Sequence, residues 1–416
     1  MDGSVKYQKP KGTRDLFGRE LERIRAVCDA GRAFFQKHGY REIVTPTFEF
    51  ADLFTRSIGE HTDIVEKETY TFAVGKKVYE LRPEGTASVL RALIENKIPL
   101  PSRLMYIGPM YRKEKPQKGR YREFLQIGIE LIGEGEPLYD AEMIEQGQKF
   151  LDAVGAENVS IEINSIGCPA CRAQYKEVLL ADLDARRAEL CNDCRRRLQR
   201  NFLRIFDCKK EVCSRILDEA PKITDHLCAD CAEHYARMKE YLNVFAVTYI
   251  ENKKLVRGLD YYTRTVFEFK HHLLGAQDTV LAGGRYDLLM KELGGRDAPA
   301  LGWAMGIERL LLTMPAHLPP IRKKLVFYTA ILGVKQLKRA LQLRDAIHER
   351  GYVCINGSPN TVLKQQMKRA HRAGVDYAII YGAEEAQRRI CIVRNMTSGK
   401  QHEIPLESFA TFLESL

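Results

Sequence analysis

Four arginines stand beside turns or strand ends, where a side chain can reach into a pocket. Arg82 precedes Pro83-Glu84-Gly85-Thr86, and Arg112 lies in Tyr111-Arg112-Lys113-Glu114. Arg257 opens Arg257-Gly258-Leu259-Asp260-Tyr261-Tyr262, and Arg309 ends Gly306-Ile307-Glu308-Arg309. One arginine alone is usually a surface residue. Four set among glycines point to a polyphosphate, because the planar guanidinium makes paired charge-assisted hydrogen bonds to phosphate oxygens. The chain has no Gly-x-x-x-x-Gly-Lys-Ser/Thr run, and Gly283-Gly284-Arg285 is not a dinucleotide fingerprint. P-loop and Rossmann modes of nucleotide binding are therefore not expected.

A second chemistry is written in cysteine. Of 11 cysteines, Cys168, Cys171, Cys191, Cys194, Cys208, Cys213, Cys228 and Cys231 fall in one short stretch. The first two Cys-x-x-Cys pairs are separated by the spacing of a four-cysteine zinc site. Eight thiols suffice for two tetrahedral zincs, or for one zinc with spare thiols. The alternative is reduced thiols packed on helices. Zinc is favoured because paired Cys-x-x-Cys units rarely arise for packing alone. The grouping of the eight is left open.

These residues need elements to hold them. Helical spacing of Leu21, Ile24, Val27, Cys28, Phe34 and Phe35 predicts a helix from Arg19 to His38, ended by Gly39. Glu42 to Pro46 reads as an edge strand, because Pro46 cannot donate to a ladder. Leu104 to Glu114 and Tyr121 to Gly133 read as a long hairpin around the basic loop from Lys115 to Arg120. In its second arm Leu125, Ile127, Ile129 and Leu131 face a core. Gln126, Gly128 and Glu130 face the other way, either to solvent or onto a pocket floor.

Residues 165–243 read as a helical, Arg- and Cys-rich insertion. Strands are expected again at Phe245 to Ile250 and Tyr261 to Phe269. Leu301 to Met305 reads as a buried strand running into a helix. Leu318-Pro319-Pro320 is a linker candidate. Beyond it, strands and helices alternate, which predicts a small α/β domain with a largely parallel sheet.

The chain has 416 residues, 45% hydrophobic and 29% charged, the balance of a globular protein of two or three domains. No apolar run is long enough for a membrane helix, and Met1-Asp2-Gly3-Ser4 lacks a signal-peptide pattern. Cytosol is the expected compartment. The net charge is +10, and residues 321–416 carry 16 Lys and Arg against 8 Asp and Glu. A basic terminal domain suits a polyanion, although a solvated surface explains it equally well.

The motifs resemble those of the class II aminoacyl-tRNA synthetases. The helix ending at Gly39 with the strand closing on Pro46 resembles motif 1, the dimer-building element. Tyr111-Arg112-Lys113-Glu114 with its loop and return strand resembles motif 2. Gly302-Trp303-Ala304-Met305-Gly306-Ile307-Glu308-Arg309 resembles motif 3. Within the class, Leu81-Arg82-Pro83-Glu84-Gly85-Thr86 and Arg257-Gly258-Leu259-Asp260-Tyr261-Tyr262-Thr263-Arg264 are similar to the histidyl-tRNA synthetase family, bacterial type. Ala282-Gly283-Gly284-Arg285-Tyr286-Asp287 agrees. Lys115, Trp303 and Phe17 depart from the usual pattern.

The resemblance implies an α+β catalytic domain on an antiparallel sheet (residues 1–164 and 244–318). It also implies a Cys-rich helical insertion (165–243) and an α/β anticodon-binding domain (322–416). It implies a homodimer that uses ATP with Mg2+ to join histidine to tRNA(His), with any zinc structural. By the same resemblance Arg112 and Arg257 hold the α-phosphate, Arg309 the γ-phosphate, and Glu114 orders the adenine end. Glu84, Thr86 and Gln126 take the histidine ammonium. Glu130 and Tyr262, with Tyr261 beside them, complete the histidine site by reading the imidazole. Arg195, Arg196, Arg197, Arg200 and Arg204 would meet the acceptor stem, a solvated helix face being the alternative. Lys364, Lys368, Arg369 and Arg372 would meet anticodon phosphates. The main rival is the non-catalytic regulatory relative of ATP phosphoribosyltransferase, which typically loses the signature arginines and the anticodon domain. Both are retained here.

Overall fold

The structure is a computed structural model and describes residues 7–58, 68–271, 274, 278–315 and 325–416. The chain divides into two compact units, Met1–Leu318 and Pro319–Leu416. The Leu318-Pro319-Pro320 linker lies outside the described residues. Among the described residues no helix is long and apolar enough to cross a membrane.

The first unit begins with α1 (Gly18–Lys37), β1 (Arg41–Glu42), β2 (Phe48–Phe50) and α2 (Ala51–Ile58). There follow β3 (Tyr70–Val74), β4 (Lys77–Leu81), α3 (Thr86–Glu95), β5 (Ser102–Tyr111), β6 (Glu123–Ile132), α4 (Pro137–Ala153) and β7 (Val159–Ser165). Next come the helices α5 (Pro169–Asp184), α6 (Asn192–Arg200), α7 (Glu211–Glu219) and α8 (Ala229–Val244). The unit ends with β8 (Ile250–Glu251), β9 (Thr263–His271), β10 (Thr279–Arg285), α9 (Leu289–Glu292), β11 (Ala300–Gly306) and α10 (Ile307–Thr313). Among the described residues, eight strands form one sheet in the order β1-β5-β6-β11-β10-β9-β7-β8. All its pairings are antiparallel except β1 with β5 and β7 with β8 at the two edges.

Helix α1 forms where the apolar spacing predicts it. Ile24, Val27, Cys28, Gly31 and Phe35 are its buried face. Just past its end Gly39 takes a left-handed φ of 81°, a conformation that stops a helix cheaply only in glycine. Ile127, Ile129 and Leu131 of β6 pack with Phe35 and with Phe150 of α4 in the main core. The opposite face of β6 is not solvated, since Gln126 is 8% exposed and Glu130 0%. The gap at Gly128 is not an open floor either. The ring of Tyr106 fills it, and a Cβ there would lie 2.2 Å from that ring.

Two expectations fail in this unit. Phe245 to Ile250 is not a strand: α8 runs to Val244, the chain turns at Ala246 with φ 55°, and only Ile250 reaches the sheet. Phe245, Val247 and Tyr249 are apolar because they pack on the core, not because they pair. The edge strand is also shorter than expected, at two residues, with the Ile43 N–H still donating to Met105 O at 2.8 Å.

The second unit holds β12 (Val326–Ile331), α11 (Leu337–Glu349), β13 (Val353–Asn356), α12 (Leu363–Arg372), β14 (Tyr377–Tyr381), α13 (Ala383–Arg388), β15 (Ile390–Asn395), β16 (Gln401–Pro405) and α14 (Phe409–Glu414). Its sheet order is β13-β12-β14-β15-β16. The first pairings are parallel, as expected of alternating strands and helices. The β15–β16 pair, which was not foreseen, adds two antiparallel ones and makes the sheet mixed.

Candidate active site

One cavity of about 820 Å³ opens on the sheet face that carries Gln126. Arg112, Arg257 and Arg309 all line it, together with Glu84, Thr86, Glu114, Gln126, Tyr261 and Tyr262. Residues that are remote in sequence meet because β6 pairs with β11, which sets Gly306 opposite Gln126 and Gly302 opposite Glu130.

Each arginine is aimed by a different neighbour. Arg112 follows β5, and its Nε donates to Pro83 O at 2.9 Å. Its guanidinium sits 5.4 Å from the centre of the Phe124 ring. Arg257 pairs with Glu268 of β9 and lies over the Tyr262 ring at 5.7 Å. Burial works against its charge, and Glu268 together with Tyr262 and Tyr261 more than offsets that, so its pKa is raised. Arg309 projects from α10 and donates to Thr279 O at 2.7 Å. Burial, and then the like charges of Arg120 and Arg112, hold its pKa down to about 10. Cations crowded this closely in a half-dry site favour a polyanion.

Arg120 is a member of this cluster that motif reading passed over. It ion-pairs with Glu114 at 2.8 Å, and Arg112 stands 3.7 Å from the same carboxylate. Its only signal was its place in the basic loop. Arg82, in contrast, is not on the cavity wall. Its Nε donates to Pro109 O at 2.9 Å and its Nη1 to Thr45 O at 2.8 Å. It ties two chain segments together, and Gly108 is small because a Cβ there would meet Arg82 Nη2 at 2.4 Å. Arg82 is a structural brace and not a phosphate ligand.

The polar end is built around buried acids. The Glu84 carboxylate accepts from the backbone N–H groups of Thr86 at 2.6 Å and Ala87 at 2.9 Å, at the start of α3. Its pKa is nonetheless raised by burial. Gln126 Oε1 is a buried acceptor with no partner among the described residues. Thr86 Oγ1 donates to Glu130 at 2.7 Å, and the Tyr286 hydroxyl donates to the other Glu130 oxygen. Burial pushes the Glu130 carboxyl up to about 8. Glu130 is therefore not on the cavity wall: its oxygens are taken by Thr86 and Tyr286, and it stands behind the wall that Thr86 forms. Tyr261, Tyr262 and Tyr286 pack as one aromatic cluster, with ring centres 4.7 to 6.4 Å apart.

The eight insertion cysteines form two groups, each with its sulfurs within 4.8 Å of one another. Cys168 and Cys171 join Cys228 and Cys231, whereas Cys191 and Cys194 join Cys208 and Cys213. The grouping that spacing left open is thus set by the fold: the first two Cys-x-x-Cys units do not share a site, because α5 and α8 start side by side. Each group has the donor set and compactness to hold a metal ion.

The family description "Histidyl-tRNA synthetase" matches residues 12–310, and "Anticodon binding domain" matches residues 323–416. The chain is 43% identical to the "Histidine--tRNA ligase" of Halothermothrix orenii, covering 98% of this chain and 99% of that protein. It is 45% identical to that of Thermotoga petrophila over 96% of each. Its fold matches the apo histidyl-tRNA synthetase of S. aureus with a TM-score of 0.79 and 32% identity, covering 98% of this chain and 100% of the other. A Bacillus halodurans structure, described as an ATP phosphoribosyltransferase regulatory subunit/histidyl-tRNA synthetase, shares the fold at 20% identity and a TM-score of 0.65. With near full-length identity to ligases and a matched anticodon domain, the regulatory reading is not favoured. The chain belongs to the histidyl-tRNA synthetase family of class II aminoacyl-tRNA synthetases, which are ligases.

Proposed function

We propose that this cavity activates histidine with ATP and then passes it to the 3′ end of tRNA(His). The reading rests above all on one cavity that is lined by Arg112, Arg257 and Arg309 and also by Thr86, Gln126, Tyr261 and Tyr262. In the first step a histidine carboxylate oxygen bonds to the α-phosphorus of ATP, and pyrophosphate leaves. Negative charge grows on the α-phosphate oxygens, and Arg112 and Arg257 are the preorganised cations that meet it. Arg309 takes the γ-phosphate. Glu114, held between Arg112 and Arg120, orders the adenine end. Glu268 and Asp278 line the same cavity and offer the oxygen ligands that would hold the Mg2+ accompanying ATP, whose charge would offset that of the phosphates.

The unpartnered Gln126 oxygen suits the histidine ammonium, with Glu84 and Thr86 beside it. Tyr262 and Tyr261 frame the imidazole. Glu130 acts from behind, fixing Thr86 and Tyr286 in place. In the second step the terminal ribose hydroxyl attacks the activated carbonyl and AMP leaves.

The domain plan follows: residues 1–164 and 244–318 form the catalytic domain, 165–243 the insertion and 322–416 the anticodon-binding domain. Zn2+ suits both four-sulfur groups as a structural ion, and it would tie helix starts together. Exposed Arg195, Arg196 and Arg200 on α6 suit the acceptor stem. Exposed Lys364, Lys368, Arg369 and Arg372 on α12 suit anticodon phosphates. Phe48, Phe50, Phe72 and Val74 leave an apolar face on the β2-β4-β3 sheet, which supports a homodimer. The working compartment is the cytoplasm. Histidine-dependent ATP–pyrophosphate exchange, repeated with other amino acids, tests the activity. Exchange with a different amino acid, or with none, overturns it.

A further inference from the structure

The two four-cysteine groups differ in partners but converge on one target. In the first, Cys168 and Cys171 open α5, and the next residue, Arg172, donates to the carbonyl oxygen of Tyr262 at 3.2 Å. In the second, the segment between Cys194 and Cys208 carries Asn201, whose side-chain amide donates to the Asp260 carboxylate. Arg172 and Asn201 thus grip the stretch Arg257–Tyr262 at two points, Tyr262 and Asp260. That stretch carries both the Arg257 guanidinium and the Tyr262 ring of the cavity.

The second group also borders the cavity directly, since Arg197, Arg204, Cys208 and Lys209 are among its lining residues. The sulfurs are already arranged as ligands. Cys194 N–H points to Cys191 Sγ at 3.5 Å, Cys191 N–H to Cys213 Sγ at 3.3 Å, and Cys228 N–H to Cys171 Sγ at 3.1 Å. Backbone donors aimed at sulfur stabilise the thiolate form that a metal requires. A loop fixed at both ends by one ion loses most of its freedom to drift.

We propose that each cysteine group binds one Zn2+-like soft divalent ion and that these ions position the Arg257–Tyr262 segment, through Arg172 from the first group and Asn201 from the second. The inference rests on the ATP and histidine site proposed above. The insertion's metal content then tunes substrate binding without any metal touching substrate. Arg172, Asn201 and the cysteines are positioning residues.

The test uses the full-length chain purified without chelator. Metal analysis should give two zinc per chain, and Co2+-loaded protein should absorb as a tetrahedral thiolate site. The C191S/C194S variant should retain one equivalent. Asn201→Ala should retain two, and yet raise the KM for histidine or ATP about tenfold while leaving the melting temperature close to that of the unaltered protein. Asn201→Asp, which sets two carboxylates together, should be worse than Asn201→Ala. Asn201→Ala speaks to the brace even where the double cysteine variant fails to fold. Fewer than two metal equivalents overturns the metal half of the proposal. Two equivalents with KM unchanged in Asn201→Ala and Arg172→Ala overturns the positioning half. Exchange by the unaltered protein is measured beside them, so a failure of the functional reading is seen separately.

Discussion

Gly302 and Glu130 face each other across the β6–β11 pair, and the carboxylate occupies the space a side chain at 302 would need. A Cβ on Gly302 would lie 1.8 Å from Glu130 Oε2 and 2.5 Å from the backbone oxygen of Ile129. The second contact is with backbone and cannot be relieved by a rotamer change. Gly302→Ala is therefore expected to dislodge Glu130 and, with it, the Thr86 hydroxyl on the cavity wall. Histidine KM in the exchange reaction should rise by about tenfold or more. A KM equal to that of the unaltered protein would show that the Glu130–Thr86 link does not shape the site.

Glu130 also sets a pH dependence. Burial holds its carboxyl at about 8, above its ordinary 4.5. A raised acid keeps its proton in the folded protein, whereas the unfolded chain releases it above the ordinary range. Its contribution to stability is complete below about 4.5 and is lost as pH rises through about 8. Glu130→Gln cannot titrate. Its melting temperature should fall less than that of the unaltered protein between these two values. Parallel melting curves across that window would refute the assignment.

Asp140 and Arg285 form the deepest ion pair described, with side chains 1% and 0% exposed. Asp140 accepts from both Arg285 Nε and Nη2, and His234 Nε2 stands 3.3 Å from the same carboxylate. Arg285 holds the Asp140 carboxyl, despite its burial, well below the usual range. Asp140→Ala strips the acceptor from Arg285 Nε and Nη2, leaving the dry guanidinium held only at Nη1 by Asp287 and Glu134 O, and should cost roughly 3–5 kcal/mol. Chemical denaturation of the two proteins measures this directly.

Arg82 and Arg309 look alike in sequence and should fail in different ways. Arg309→Ala is expected to weaken ATP binding, with KM for ATP raised about tenfold or more and little change in melting temperature. Arg82→Ala strips donors from buried carbonyls at Thr45 and Pro109 and should lower the melting temperature first. Isothermal titration with ATP, run beside thermal melts, separates the two.

Much of this was readable beforehand, for physical reasons. The α1 periodicity, the β6 alternation and the β11-to-α10 passage are local patterns, and local patterns survive folding. Arg112, Arg257 and Arg309 stood out because their chemistry is specific and their surroundings contain glycine. What escaped depended on long-range neighbours. Nothing local marks Arg82 as a brace, since its acceptors are carbonyls of remote segments. Glu130 alternates with Ile129 just as an exposed residue does, and only the partner strand hides it. The cysteine grouping turned on which helices start side by side, which spacing does not encode. The Phe245 to Ile250 run failed because apolar residues in a packed turn look like a strand.

The strand order has a consequence for synthesis. Glu130 leaves the ribosome long before Gly302, its cross-strand neighbour, and the whole cysteine-rich segment emerges between them. Until β11 arrives, the β6 edge and its carboxylate remain wet and unpaired, and long-range pairing of this kind is slow. The nascent chain can complete its insertion helices first, but it cannot hold a substrate until nearly three quarters of it has been translated.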